Sequence, residues 1–193
     1  MELKITESSG GYKQRTIYNV LHSDVTIAFA VDFSTSGEKL TSSTAHTYNK
    51  PILKISIPTQ LDDTHSIPAL SEDVLNQIIQ FCVSNIKNDK ICINIAGNAI
   101  QRFFKYKITQ KILNAWLIHI ISSIKKALPD TVSISIRSGG QSGADIAGIV
   151  AGISNGIPCV VHYPRGYMTR NEYGVDQTYD YDTTYKFIIS MLV

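Results

Sequence analysis

The residues best suited to chemistry lie between Ser138 and Asp145, in the run Ser-Gly-Gly-Gln-Ser-Gly-Ala-Asp. Gly139-Gly140 lets a backbone approach a ligand with no Cβ in the way. Ser138 and Ser142 offer hydroxyls, and Gln141 offers an amide. Gly143 opens a stretch of small residues with helical character, so free N–H groups and the positive end of a helix dipole would face an anion there. Asp145 falls in the first helical turn. It is either a carboxylate complementing the helix end or an acceptor for a ribose hydroxyl. The spacing is neither the phosphate-binding Walker pattern, which needs a Lys-Ser/Thr after the last glycine, nor the dinucleotide fingerprint.

Three other segments share this chemistry. Thr35-Ser36-Gly37-Glu38-Lys39 is a second strand-to-helix turn, where Lys39 could reach a phosphate and Glu38 stands as a helix-end carboxylate. Gly97-Asn98 follows another apolar run, with Arg102 just beyond; the Asn98 amide either reads a base or settles a turn. Arg165-Gly166 could clamp a phosphate through a two-toothed guanidinium contact. If the site does chemistry rather than binding, Asp145, Glu38 and Asp32 are the candidate acid–base groups.

The elements that must position these turns alternate along the chain. Val25–Val31 is a continuous apolar run, as expected of a parallel strand covered on both faces. A helix is predicted over 37–49, a strand over 52–57, and a helix capped by Ser71 with Glu72 and Asp73 in its first turn. Strands are expected over 91–96, 132–136 and 157–161. The longest helix, 108–128, repeats Ile108, Ile112, Trp116, Ile120 and Ile124 on one stripe. A small-residue helix over 143–155 ends at Gly156. This order predicts one α/β domain, Rossmann-like and doubly wound, with a mainly parallel sheet of five or more strands. The four loops then share the sheet's carboxyl edge, where open α/β sheets bind ligands.

Composition narrows the partners. The 193 residues suit a single domain, and a formal net charge of +2 with no basic block disfavours nucleic acid. The longest apolar stretch, Ile112–Ile124, is broken by Asn114, His119 and two serines, so no membrane span is expected. The polar opening MELKITESSGGYKQR does not read as a signal peptide. Cys82, Cys92 and Cys159 are isolated in apolar segments, which reads as free thiols in a reducing cytoplasm. Five histidines with no H-x-x-x-H spacing give no metal site, and no cofactor is expected.

These motifs resemble a known group. SGGQSGAD, a small-residue helix, Gly-Ile-Pro and a Pro-Arg-Gly turn are similar to the proteins named as molybdenum carriers and to the wider SLOG superfamily. Tyr12-x-x-Arg15-Thr16-x-x-Asn19-Val20, Ser23-Asp24-x-Thr26, Gly37-x-x-Leu40-Thr41 and Lys50-Pro51 match further segments, and Asn94-Ile-Ala-Gly97-Asn98 loosely matches a fifth. The order differs, because the SGGQ segment comes last here. The chain therefore resembles a circular permutation, with the 108–128 helix joining the former ends.

The resemblance implies a Rossmann-like fold shared by cytokinin-activating phosphoribohydrolases, the DNA-processing protein A fold and nucleotide-sensor domains of bacterial defence effectors. The phosphoribohydrolase turn, Gly-Gly-x-Gly-Thr-x-x-Glu, is not reproduced: Gln141-Ser142 displaces a glycine and no Glu follows. The implied function is binding of a nucleotide-derived, phosphate-bearing molecule such as ADP-ribose, cyclic ADP-ribose or a cyclic nucleotide. Such a binder would sense or sequester its ligand, as a phage protein acting in a host cytoplasm against nucleotide-signalled defence would. The alternative is a hydrolase of an N-glycosidic or phosphoester bond. The expected assembly is a homodimer or larger.

Overall fold

A computed structural model describes residues 2–192. Six strands form one all-parallel sheet: β1 (Leu3–Glu7), β2 (Val25–Ala30), β3 (Ile52–Ser56), β4 (Lys90–Gly97), β5 (Ser133–Ser138) and β6 (Cys159–Tyr163), in the spatial order β1-β6-β5-β4-β2-β3. The apolar run Val25–Ala30 is buried at every position because β2 lies between β3 and β4 and is covered on both faces. The doubly wound α/β architecture expected from the sequence is the one observed.

Helices cover both faces. On one, α1 (Tyr12–Leu21) packs beside α2 (Ser36–Thr47). On the other, α3 (Glu72–Val83) packs against α5 (Gln110–Ala127), and α5 against α6 (Ala144–Ser154). A short α4 (Ile100–Phe104) leads from β4 toward α5. Of the stripe read from the sequence, Trp116, Ile120 and Ile124 are buried on α5, Ile112 is half-buried, and Ile108 is buried just before the helix; the neighbouring Leu113, Leu117 and Ile121 are the fully enclosed residues. In α6 the small residues have a direct purpose. A Cβ on Gly148 would meet Ile95 at 2.5 Å, and one on Gly152 would meet the Cys159 sulfur at 2.5 Å. The chain ends in a two-stranded ribbon, β7 (Thr169–Arg170) with β8 (Asp176–Gln177), and α7 (Tyr181–Ser190).

The sheet has one strand more than the five apolar runs. β1 is an edge strand paired only with β6, so half its side chains face solvent and LKITE shows no apolar continuity. The helix after it, α1, buries Arg15 and Asn19 together with Val20 and so lacks an apolar stripe.

The ordering fixes where the loops part. The chain leaves β2 outward to β3, whereas it leaves β4 in the opposite direction to β5. The loops after these adjacent strands diverge and open a crevice at the carboxyl edge, the topological switch point of an open α/β sheet.

Candidate functional site

Asn98 holds the crevice open. Its side-chain oxygen accepts from the N–H groups of Val31 and Asp32, both at 3.0 Å, and its amide donates to the Asp32 carbonyl at 2.9 Å. The side-chain oxygen and one amide N–H are thus committed to the loop after β2. Gly97, with φ of 150°, lies so close to the end of β2 that a Cβ would overlap the Phe29 carbonyl.

From Asp32 the loop enters α2 through Thr35, whose hydroxyl caps the helix by accepting from the Glu38 N–H at 3.5 Å. Among the described residues, the Ser36 and Gly37 N–H groups find no protein acceptor. Gly37 has nothing within 4 Å of where its Cβ would be. The N-terminus of α2 therefore opens onto a cleft of about 390 Å³.

Four cationic residues line this cleft: Lys13 and Arg15 from α1, Arg102 from α4 and Arg170 from β7. Thr35, Ser36, Gly37, Glu38, Gly97, Asn98 and Gln141 line it too, so eight of the residues singled out in the sequence meet here once Arg102 is counted. Arg15 is 9% exposed, and one of its terminal nitrogens donates to the Asp145 carboxylate at 2.8 Å. Its Nε is buried with no partner among the described residues. Arg170 is held in a two-toothed contact by Asp176, at 2.7 and 2.9 Å, and lies 5.4 Å from the Tyr12 ring centre, with Arg15 also over that ring at 5.7 Å. The Tyr12 hydroxyl donates to Asp176, and burial first, then this hydrogen bond and negative charge, pushes the phenol up to about 12.

The candidate carboxyls differ. Glu38 lines the cleft yet is 6% exposed, and burial raises its pKa above the ordinary carboxylate range against the pull of its own N–H and Asn98. Asp145 is sealed behind Arg15, 3% exposed. Burial raises its pKa too, and the Arg15 charge is the largest opposing influence. Asp32 points outward, where hydrogen bonds from Ser34 hold its pKa down.

The Ser138–Asp145 loop is turned inward. The Ser138 hydroxyl donates to the Ile95 carbonyl at 2.6 Å. A Cβ on Gly139 would strike the Arg15 guanidinium at 1.9 Å, so this glycine makes room for the Arg15–Asp145 pair. Gly140, in the left-handed region at φ 68°, packs on the ring of buried Tyr163, which a Cβ would meet at 2.3 Å. The donors at the start of α6 are already used. Ser142 N–H goes to Thr169, Gly143 N–H to Gln110, Ala144 N–H to the Asn98 carbonyl, and Ile146 N–H to the Gln141 carbonyl. The Ser142 hydroxyl donates to the Arg170 carbonyl, while the Gln141 side-chain oxygen accepts from the Arg170 N–H at 3.0 Å. This loop braces the cleft, and of its members only Gln141 lines it.

Lys39 is exposed outside the cleft, as is Arg165, whose backbone N–H donates to Gly10. The Gly166 N–H is taken by the Glu7 carboxylate. Conversely, Tyr12, Lys13, Arg15, Thr16 and Arg170 line the cleft without having been singled out as site residues. The Tyr12-x-x-Arg15-Thr16 segment was visible as a motif, and that was the available signal. Arg170 carried none, because its position depends on a ribbon that only the folded chain brings back.

A larger groove of about 720 Å³, floored by Trp116, Ile112 and Leu70, shares no residue with the cleft and has Lys111 as its one lysine or arginine. Among the described residues no helix is long and apolar enough to cross a membrane, and no group of three or more His, Cys, Asp or Glu gathers as a metal site.

Comparison with known proteins gives one informative match. No curated protein matches the chain. Among solved structures, the carboxyl transferase domain from Rhizobium etli pyruvate carboxylase with pyruvate and biocytin aligns at 12% identity over 98% of this chain, with a TM-score of 0.38. A second structure of that domain aligns at 11% identity over 98% of this chain with the same TM-score. This chain spans about a third of those proteins, 31% and 30%, and likeness at that level bears on neither fold nor activity. Residues 2–113 match the model of the circularly permutated YpsA SLOG family, a span holding the cleft segments from Tyr12 to Arg102. That is more than half of the 193 residues, and the chain belongs to the circularly permutated YpsA SLOG family.

Proposed function

We propose that the chain binds a phosphate-bearing, nucleotide-derived small molecule, such as ADP-ribose or a cyclic nucleotide, in the cleft between the ends of β2 and β4. The observation that carries this reading is the convergence of Lys13, Arg15, Arg102 and Arg170 on the open N-terminus of α2, with the Arg15 Nε buried and unpartnered. A buried donor without an acceptor costs about 1–3 kcal/mol. A phosphate oxygen would relieve that cost, and the two free N–H groups of Ser36 and Gly37 suit the same anion. SLOG membership supports a nucleotide-related ligand. Sensing or sequestering fits a site built from donors with no nucleophile beside a base.

Calorimetric titration of ADP-ribose, cyclic ADP-ribose and 3′,5′-cyclic AMP tests the reading, alongside the mass of any small molecule released on denaturation. At least one compound should bind, and Arg102→Ala should weaken it by about 1.5–3 kcal/mol, the worth of a hydrogen bond to a charged group. No binding by any of them, and no phosphate compound co-purifying, would overturn it.

One observation favours hydrolysis instead: the Glu38 carboxyl, pushed upward by burial, is the kind of group that serves as a general acid. Chromatography of the recovered ligand separates the two, since a binder returns it intact. Self-association belongs to the same proposal. α7 leaves Tyr181, Tyr185 and Phe187 exposed, and a monomeric mass by light scattering would count against a homodimer.

A further inference from the structure

Resting on the cleft being a nucleotide site, we propose that Glu38 reads the sugar: its carboxyl hydrogen-bonds the ribose hydroxyls and so selects ribonucleotide over deoxyribonucleotide ligands. The local sequence argues for another duty. Thr35-x-x-Glu38 has the spacing of a capping box, in which the acidic side chain turns back to the N–H of the cap residue. Only half of that box forms. The Thr35 hydroxyl accepts from the Glu38 N–H, but among the described residues no hydrogen bond joins the Thr35 N–H to the Glu38 carboxyl. The side chain lines the cleft instead, more than nine-tenths buried.

No ion pair answers it among the described residues. Among the described residues, the salt bridges pair Arg15 with Asp145 and Arg170 with Asp176, and neither involves Glu38. The charged groups felt at Glu38 are Asp145 and Asp32, both of its own sign. The nearby Asn98 amide gives one N–H to the Asp32 carbonyl and, though its pull on the Glu38 carboxyl is felt, brings no charge. Ionised, a carboxyl so placed repels phosphate, and burial among acidic neighbours works against that charge. A sugar hydroxyl is a neutral donor from which it can accept in either protonation state. The geometry also separates the tasks. Phosphate suits the exposed first turn of α2 and the arginines, and the hydroxyls of the attached ribose suit the carboxyl one residue deeper in that turn. General experience with such sites is that an unpaired buried polar group rejects a ligand lacking the matching hydroxyl.

The test measures affinities of matched probes, AMP against 2′-deoxy-AMP and 3′-deoxy-AMP and ADP against 2′-deoxy-ADP, for the full chain and for Glu38→Ala and Glu38→Gln. The parent should prefer the ribonucleotide by about 10- to 100-fold for at least one hydroxyl. Glu38→Ala should bring that ratio close to one. Glu38→Gln, whose amide can still donate and accept, should keep part of it. Should Glu38→Ala fail to fold, the parent's own ratio and that of Glu38→Gln still decide. Equal binding of ribo and deoxy probes by the parent, or an undiminished ratio in Glu38→Ala, overturns the assignment while leaving the cleft as the site. A parent protein that binds no probe overturns the nucleotide reading and this inference together. A new product from any probe, lost in Glu38→Gln, would assign the carboxyl to bond cleavage instead.

Discussion

Replacing Arg15 by Met would remove the charge facing Asp145 and keep a side chain of similar reach on α1. Asp145 is 3% exposed, and Arg15 supplies the side-chain donor to its carboxylate, at 2.8 Å. Breaking a buried pair from one side costs about 3–5 kcal/mol, because the remaining charge has neither water nor partner. For a domain of this size each kcal/mol moves the melting temperature by about 2–4 °C, so Arg15→Met should melt roughly 6–20 °C lower. The carboxyl has one escape, which is to hold its proton, and this fixes the sign of the pH dependence. Burial already raises the pKa of Asp145 while Arg15 lowers it, so the variant's folded-state pKa lies higher still. The folded variant then keeps a proton that the unfolded chain has released, and its stability falls as pH rises from the unfolded value, about 3.9, toward the folded one. The deficit against the parent should be small near about pH 4 and widest in mild alkali. Urea unfolding followed by circular dichroism across that range measures it. In the double variant Arg15→Met/Asp145→Asn the pH dependence should flatten and part of the loss return. A loss below about 1 kcal/mol, the worth of an exposed pair, would refute the reasoning. So would a deficit of constant size from acid to alkali.

The two glycine turns should respond oppositely to a side chain. Gly37→Ala meets empty space and should leave stability within about 0.5 kcal/mol of the parent, so any loss of ADP-ribose affinity would report a ligand against α2. Gly140→Val drives a branched side chain into the Tyr163 ring at a left-handed backbone position and should cost about 2–6 kcal/mol in urea unfolding; a variant as stable as the parent would show that the loop does not brace the fold. Asp176→Asn loosens the carboxylate hold on Arg170 and should tighten ADP-ribose binding by about 2- to 12-fold in calorimetry, the equivalent of one ordinary hydrogen bond. Burial pushes the thiols of Cys82 and Cys159 up to about 12, so maleimide at neutral pH should label Cys92 alone in the folded chain and all three after unfolding, as read by intact mass.

What the sequence made legible follows from how each element is buried. β2 and α5 announce themselves because burial on two faces, or along one stripe, demands an apolar pattern. β1 and α1 leave no such trace. One is an edge strand and the other meets its neighbours partly through buried Arg15 and Asn19, so neither needs apolar periodicity. The switch point was legible in outline, since parallel strands place their following loops on one edge, and Thr35–Glu38, Gly97-Asn98 and Arg102 do meet there. The Arg15–Asp145 pair joins residues 130 positions apart. No local spacing encodes such a partner, and without it Asp145 reads as a helix-end carboxylate or a ligand group.

The inward turn of Ser138–Asp145 gives its glycines a different physical meaning. Glycine admits close approach, but a sequence does not say what approaches. At Gly139 it is the Arg15 guanidinium and at Gly140 the ring of Tyr163, both from the protein itself. The carbonyl of Asn98 and the side chain of Gln110 occupy the α6 donors that an anion would use. α2 begins the opposite way, with free N–H groups and no atom near Gly37. Of two glycine-bearing helix starts at one sheet edge, the richer in glycine is thus the one the fold has filled. The open helix start is the poorer one, and the buried Arg15–Asp145 pair links them by placing one guanidinium at the cleft wall and against the braced loop. A substitution that disturbs the loop should therefore reach the cleft through Arg15, and the Gly139 position is where that coupling is tightest.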